Sequence, residues 1–139
     1  MNITIINGPN LNLLGKRERS IYGTMGFDEY MKILKKKYKT VKFTYFQSNI
    51  EGELINKIQE CAKGVDGVIL NAAGYTHTSV AIADAIAAIK TPEIEVHISN
   101  IFSREDHRHV SHLGKNCKGS ISGFGLRSYE LAIQYFLEK

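Results

Sequence analysis

The chain has 139 residues, of which 43% are hydrophobic and 23% are charged, and its formal net charge is +4. This length supports one substantial core, so we expect a single catalytic domain over residues 1–139. No apolar run approaches the length of about 18 residues that spans a bilayer, and no leader-like segment precedes Ile3, so we expect a cytoplasmic protein. The two cysteines, Cys61 and Cys117, form no disulfide-framework or zinc-knuckle pattern and are expected to be reduced.

The positive charge is distributed differently between lysine and arginine. Most lysines fall on helix-like stretches such as residues 32–37, where they are typical of a solvated face. Four of the five arginines lie in two predicted loops: Arg17, Arg19, Arg104 and Arg108. Arginine binds carboxylates and phosphates in a fixed geometry, so we expect a small anionic substrate rather than a nucleic acid or a membrane.

Apolar periodicity predicts strands alternating with helices along the whole chain. The predicted strands cover residues 3–6, 41–47, 67–71, 94–98 and, weakly, 120–122. The predicted helices cover residues 26–38, a segment from a capping box at Ser48 and Glu51 to Gly64, residues 78–89, and a last segment containing Tyr129 and Phe136. About twenty polar residues separate the fourth and fifth strands.

This alternation predicts an α/β fold with a doubly wound, five-stranded parallel sheet and helices on both faces. Five strands suggest the flavodoxin-like order, and the second strand, which is half apolar, is expected at an edge. Such sheets bind ligands beyond the carboxyl ends of their strands. The polar residues at those ends are Asn10, Asn12, Arg17, Tyr22, Asn71, His77, Glu95, His97, Ser99, Arg104 and Arg108.

The loop after the first strand places two arginines close to a tyrosine. A tyrosine with a pKa of about 10 is rarely ionised at pH 7, and one nearby cation lowers that pKa by about 1 to 3 units. Arg17 and Arg19 therefore make Tyr22 a candidate general base. The alternative is a surface loop with solvated charges and a packed tyrosine.

Glu95 and His97 occupy alternate positions of a predicted strand and share one face. The carboxylate can orient the imidazole and favour its protonated form, which makes His97 a candidate general acid. The alternative is a core histidine paired with Glu95 for stability. Asn71 is neither acid nor base and would position a hydroxyl or a carboxylate.

Several other site chemistries receive little support. No Gly-x-Gly-x-x-Gly, Walker-type or Gly-x-Ser-x-Gly motif is present, which argues against dinucleotide, nucleoside triphosphate and serine-hydrolase chemistry. His107, His109 and His112 lie among arginines that repel a dication, so no metal is expected. Three alternatives remain open: a metal hydrolase, a thiol enzyme using Cys117, and an anion-binding module without turnover.

Five segments together resemble the type II 3-dehydroquinate dehydratases over essentially the whole chain. They are Asn-Gly-Pro-Asn-Leu-Asn-Leu-Leu-Gly from Asn7, Arg17 with Tyr22-Gly23, Gln-Ser-Asn-Ile-Glu-Gly from Gln47, Asn-Ala-Ala-Gly-Tyr-Thr-His-Thr-Ser from Asn71, and Glu-Val-His-Ile-Ser-Asn from Glu95 with Arg104 and Arg108. The resemblance implies dehydration of 3-dehydroquinate to 3-dehydroshikimate in the shikimate pathway, with no cofactor, metal or Schiff base.

The resemblance also implies a role for each site residue. Tyr22, assisted by Arg17, would abstract the C2 proton; a water held near Asn12 would stabilise the enolate; and His97, oriented by Glu95, would protonate the leaving C1 hydroxyl. The substrate-binding residues would be Asn71, His77, Ile98, Ser99 and Arg108. Residues 15–26, which include Arg19, would form a lid over the site, and Arg104 would help to close it.

By the same resemblance, Asp84 would reach into a neighbouring subunit's site, and the protein would form trimers that assemble into a dodecamer. Two departures from the family pattern affect these assignments. Arg19 stands where many relatives have proline, which adds a second candidate cation beside Tyr22. The segment 107–117 also differs from the common pattern.

Overall fold

The computed structural model describes residues 1–16, 20 and 24–138. Its strands are β1 (Asn2–Asn7), β2 (Lys42–Gln47), β3 (Gly67–Asn71), β4 (Glu93–His97) and β5 (Gly119–Ser122). The α-helices in this described part are α1 (Phe27–Lys37), α2 (Glu51–Glu60), α3 (Val80–Ala88) and α4 (Arg127–Leu137). Arg17, Arg19 and Tyr22 lie outside the described residues.

The five strands form one parallel sheet in the order β2-β1-β3-β4-β5. This order confirms the flavodoxin-like prediction and the edge position of β2. The chain order reverses between β1 and β3, where Asn7 and Asn71 are register partners at the carboxyl ends of their strands. The switch point, where this type of sheet binds ligands, therefore lies beside these two asparagines.

The sheet separates two hydrophobic clusters. Alternate residues of β1 contribute to opposite clusters: Ile3 and Ile5 pack with α1 and α4, whereas Ile6 packs with α2 and α3. Burial on both faces explains why the central strands are almost continuously apolar. No helix in the described ranges is both long enough and apolar enough to cross a membrane.

The predicted capping box of the second helix is wrong. The helix begins at Glu51 with Ile50 at its N-cap, and it ends at Glu60 rather than near Gly64. Ser48 Oγ accepts a hydrogen bond from the Ile50 backbone N–H at 3.0 Å and donates to Glu53 Oε2 at 2.7 Å. The serine thus closes the turn before the helix, a local bond that competes with capping.

Two glycines allow close approaches that fix the ends of the sheet. A Cβ on Gly8 would lie 2.5 Å from the Ala72 carbonyl oxygen, so only glycine lets the chain after β1 pass against the end of β3. A Cβ on Gly67 would lie 2.5 Å from the Phe136 ring, which covers the start of β3. The close approach of Gly8 to Ala72 brings together the loops that follow β1 and β3 at the switch point.

Candidate active site

A cavity of about 160 Å³ opens at the carboxyl edge of the sheet. It lies beyond the ends of β1, β3 and β4, at the topological switch point. Its described lining residues are Pro9, Asn10, Leu11, Leu13, Leu14, Asn71, Ala73, Gly74, His77, His97, Ile98, Ser99, Ile101, Arg104 and Arg108. Loops from widely separated parts of the sequence therefore converge on one small cavity.

Glu95 and His97 form a buried pair at this cavity. The His97 Nε2 atom lies 2.9 Å from Glu95 Oε1, and the residues are 5% and 1% exposed. His97 lines the cavity, whereas Glu95 lies behind it. With Nε2–H donating to the carboxylate, the Nδ1 atom of His97 is left for a ligand.

Two serines hold the Glu95 carboxylate in place. Ser111 Oγ donates to Glu95 Oε1 at 2.7 Å, and Ser120 Oγ donates to Oε2 at 2.5 Å. Burial alone would raise the pKa of Glu95, but the hydrogen bonds from His97, Ser111 and Ser120 hold it below the ordinary value. The carboxylate therefore stays ionised and orients His97. Neither serine was predicted from the sequence, because each contacts Glu95 only through the tertiary fold.

His77 presents a second imidazole to the cavity. Its Nδ1–H donates to the Val110 carbonyl oxygen at 2.7 Å, and its ring stacks on His97 with centroids 6.2 Å apart. Burial lowers the pKa of His77, and the charges of His97 and Arg108 lower it further. A neutral His77 offers Nε2 as a hydrogen-bond acceptor for a ligand hydroxyl.

Two arginines give the cavity a positive wall. Arg104 Nη1 donates to Ser99 Oγ at 3.3 Å, and Arg108 Nε donates to Glu105 Oε2 at 2.8 Å. Both arginines line the cavity together with Ser99. Guanidinium groups placed in this way suit an anionic or polyhydroxylated ligand.

The structure places Asn10, not Asn12, at the cavity. Asn10 has left-handed backbone geometry (φ 69°) and immediately precedes a single 3₁₀ turn, Leu11–Leu13. Asn12 lies inside that turn, is exposed, and does not line the cavity. The nearby Asn10 is therefore the better candidate for contact with a ligand.

The remaining expected site residues either lie away from the cavity or fall outside the described part of the chain. Asp84 is exposed on α3 and is not part of the cavity wall within this chain. Tyr22, Arg17 and Arg19 belong to the undescribed positions, so their place relative to the cavity stays a prediction. Burial raises the pKa of the Cys117 thiol to about 12, which disfavours a reactive thiolate. Within residues 1–16, 20 and 24–138, no cluster of three metal-ligating side chains occurs.

Comparison with known proteins places the sequence in one family. The family model for class II dehydroquinases matches residues 1–137. A protein of Fusobacterium nucleatum named 3-dehydroquinate dehydratase is 53% identical, covering 99% of this chain and 97% of its own length. A Campylobacter jejuni protein of the same name is 52% identical, covering 99% and 88% respectively.

Solved structures agree with the sequence matches. The type II dehydroquinase of Butyrivibrio crossotus superposes with a TM-score of 0.95 at 43% identity, covering 99% of this chain and 97% of that chain. The type II dehydroquinase of Propionibacterium acnes gives the same TM-score at 37% identity, with the same coverage. Family model, sequence identity and fold agree over nearly the whole length, and the chain belongs to the class II dehydroquinase family.

Proposed function

We propose that this chain removes water from 3-dehydroquinate to give 3-dehydroshikimate, as its relatives' names indicate, by acid–base chemistry without metal or Schiff base. The observation that carries the proposal is the Glu95–His97 pair at the wall of a small cavity at the switch point. An oriented imidazole beside an ionised carboxylate is suited to protonating a leaving hydroxyl.

Substrate binding follows from the cavity wall. Asn71, Ile98 and Ser99 line the cavity. The substrate carboxylate would be held by the Asn71 side-chain amide and the backbone N–H groups of Ile98 and Ser99, directly after β4. Arg108 and the neutral His77 would contact the ring hydroxyls. These contacts fix the ring so that its C1 hydroxyl faces His97, which is an orientation effect on the rate.

The first chemical step is abstraction of the C2 proton, next to the ketone. We assign the base to Tyr22, with its phenol made more acidic by Arg17, on the family resemblance and the sequence spacing. If Arg17 is the main partner, Arg17→Ala lowers turnover severely and Arg19→Ala lowers it mildly. The opposite ranking, measured by steady-state kinetics, moves this role to Arg19.

The enolate formed in that step carries negative charge on the former ketone oxygen. A preorganised hydrogen-bond donor at that oxygen lowers the barrier. We assign this donor, or the water it holds, to the Asn10 side chain in place of Asn12, because Asn10 lines the cavity. His97 then protonates the C1 hydroxyl, which leaves as water as the C1–C2 double bond forms.

The test is a direct assay. Purified protein mixed with 3-dehydroquinate is expected to produce the ultraviolet absorbance of a conjugated enone, undiminished by EDTA. Borohydride added with the substrate is expected to leave the activity intact, because no imine forms. A flat absorbance trace at high protein concentration would refute the activity, whereas inactivation by borohydride would refute only the mechanism.

We also propose that the protein works as a homo-oligomer of trimers that assemble into a dodecamer, with Asp84 of one copy reaching the cavity of a neighbour. The exposed position of Asp84 on α3 supports this arrangement. Several large apolar side chains are also exposed on the single chain, including Val80 and Val110, each 61% exposed.

A further inference from the structure

A buried chain of hydrogen bonds runs from the last helix to the cavity wall. Tyr129, on α4, is fully buried, and its Oη atom accepts a hydrogen bond from Asn71 Nδ2 at 2.9 Å. The same hydroxyl donates to Asn7 Oδ1 at 2.8 Å. Asn71 lines the cavity, whereas Tyr129 and Asn7 lie behind it.

The donor and acceptor of each hydrogen bond in this series are fixed by the Ala73 backbone N–H at one end and the Tyr129 phenol at the other. The backbone N–H of Ala73 donates to Asn71 Oδ1 at 3.1 Å, so the amide oxygen faces Ala73 and the amide nitrogen faces Tyr129. Burial raises the pKa of Tyr129, so the phenol keeps its single proton and gives it to Asn7. Within the described part of the chain, the second N–H of the Asn71 amide has no partner.

We infer that Tyr129 is a positioning residue: its hydroxyl holds the Asn71 amide nitrogen so that its second N–H is offered to a carboxylate oxygen of the bound substrate. This inference rests on the proposed function, since it assigns Tyr129 a part in that reaction. Asn7 and Asn71 are register partners on β1 and β3. Without the hydroxyl, the Asn71 amide would keep only its bond from the Ala73 backbone N–H, and its nitrogen would no longer be held in place.

The main test is Tyr129→Phe, which keeps the ring and its edge contact with Phe27, whose centroid lies 4.9 Å away. We expect kcat/KM to fall about 10- to 100-fold, because a small misplacement of a ligand-holding group is costly. The matched control is Tyr30→Phe. Tyr30 is buried in the same aromatic cluster and donates to the Leu126 carbonyl oxygen at 2.7 Å, away from Asn71.

A coupling measurement separates positioning from general loss of stability. In an Asn71→Ala background, Tyr129→Phe is expected to have no further effect on kcat/KM, because the group it positions is already gone. A second variant, Asn7→Ala, removes the acceptor of the phenol proton and is expected to lower kcat/KM between about two- and tenfold. If Tyr129→Phe fails to fold, the same coupling test applies to Asn7→Ala.

The outcomes are distinct. An inactive wild-type protein refutes the proposed function and the inference together. An active wild type with Tyr129→Phe kinetics equal to those of Tyr30→Phe refutes the inference alone. Equal losses from Tyr129→Phe with and without Asn71 also refute it, because they assign the tyrosine a purely structural role.

Discussion

At the scale of single residues, the proposed chemistry depends on one imidazole, His97, which is hydrogen-bonded to the buried Glu95 carboxylate. We expect His97→Gln to lower kcat by about 10² to 10⁴, the usual contribution of a general acid. The matched control is His107→Gln, because His107 is exposed and is not part of the described cavity wall. Steady-state absorbance assays with both variants check this prediction. Near-normal turnover by His97→Gln would transfer the acid role to another group.

A second residue, Glu93, is buried without serving the proposed reaction. It is 2% exposed, neither of its carboxyl oxygens has a hydrogen-bond partner among the described residues, and burial raises its pKa to about 8. An isolated polar group in the interior destabilises the fold. This feature was not predictable from the sequence, because an alternating Glu-Ile-Glu strand does not reveal that Glu95 has hydrogen-bond partners and the Glu93 carboxyl has none among the described residues.

Glu93 makes the stability of the fold depend on pH. In the unfolded chain this carboxyl ionises near its ordinary pKa of about 4.3, so between that value and about pH 8 the unfolded state binds fewer protons. The free energy of unfolding should therefore fall as pH rises through this window, by about 1.4 kcal/mol per unit from this group. Glu93→Gln should flatten this dependence on pH, whereas Glu29→Gln, at an exposed position of α1, should leave it unchanged. Denaturant titrations between pH 5 and 9 measure both.

At the scale of elements, the edge strand β5 supports the site from outside it. Glu95 and Ser120 are register partners on β4 and β5. Gly114 packs beside the same carboxylate, and a Cβ added to this glycine would lie 3.1 Å from Glu95 Oε2. A short, weakly apolar strand therefore supplies a hydrogen bond that a central strand needs. The 120–122 segment was predicted only weakly as a strand, because this contact leaves no periodic signal.

We expect Ser120→Ala to destabilise the fold by about 1 to 3 kcal/mol, because it leaves a buried carboxylate oxygen without a donor. The pKa of Glu95 lies below its ordinary value in the folded protein, so its stabilising contribution is lost as pH falls through that pKa. Removing Ser120 should raise this pKa and move acid unfolding to higher pH. Circular dichroism during acid titration measures the midpoint. Ser103→Ala, in an exposed turn, should leave it unchanged.

The elements themselves were largely predictable, whereas their ends were not. Alternating apolar runs predicted the strands and helices, and the parallel order followed from right-handed crossovers. The start of α2 was wrong because the Ser48 side chain bonds locally rather than capping. Asn10 and Asn12 were both expected at the end of β1, and the resemblance gave the water-holding role to Asn12. Of the two, Asn10 lines the cavity, and sequence spacing does not reveal the left-handed backbone at Asn10.

At the scale of the whole molecule, the proposed assembly completes each site with a residue from a neighbour. A hybrid assembly tests this directly. His97→Gln copies and Asp84→Ala copies are each expected to be impaired. Mixed and reassembled in equal amounts, they should recover activity, because about one quarter of the sites combine an intact His97 with a neighbour's intact Asp84.

The recovery is measured by turnover after denaturant-driven exchange of subunits, with sedimentation confirming the assembly. The control is a mixture of His97→Gln with Glu95→Gln copies, whose changes affect the same cavity wall of one copy and therefore should not complement. If the first mixture recovers nothing while the assembly is intact, Asp84 acts within its own chain or not at all.

The ring of Phe136 occupies the space where Gly67 carries no side chain, at the start of a central strand. The last turn of α4 therefore fills the core at the amino end of β3, at the end of the sheet opposite the cavity. Deleting residues 136–139 would leave a cavity at the start of β3, whereas a tag fused after residue 139 would keep Phe136 packed against Gly67. Affinity tags and surface attachments should therefore be added after residue 139 and should leave Phe136 in place.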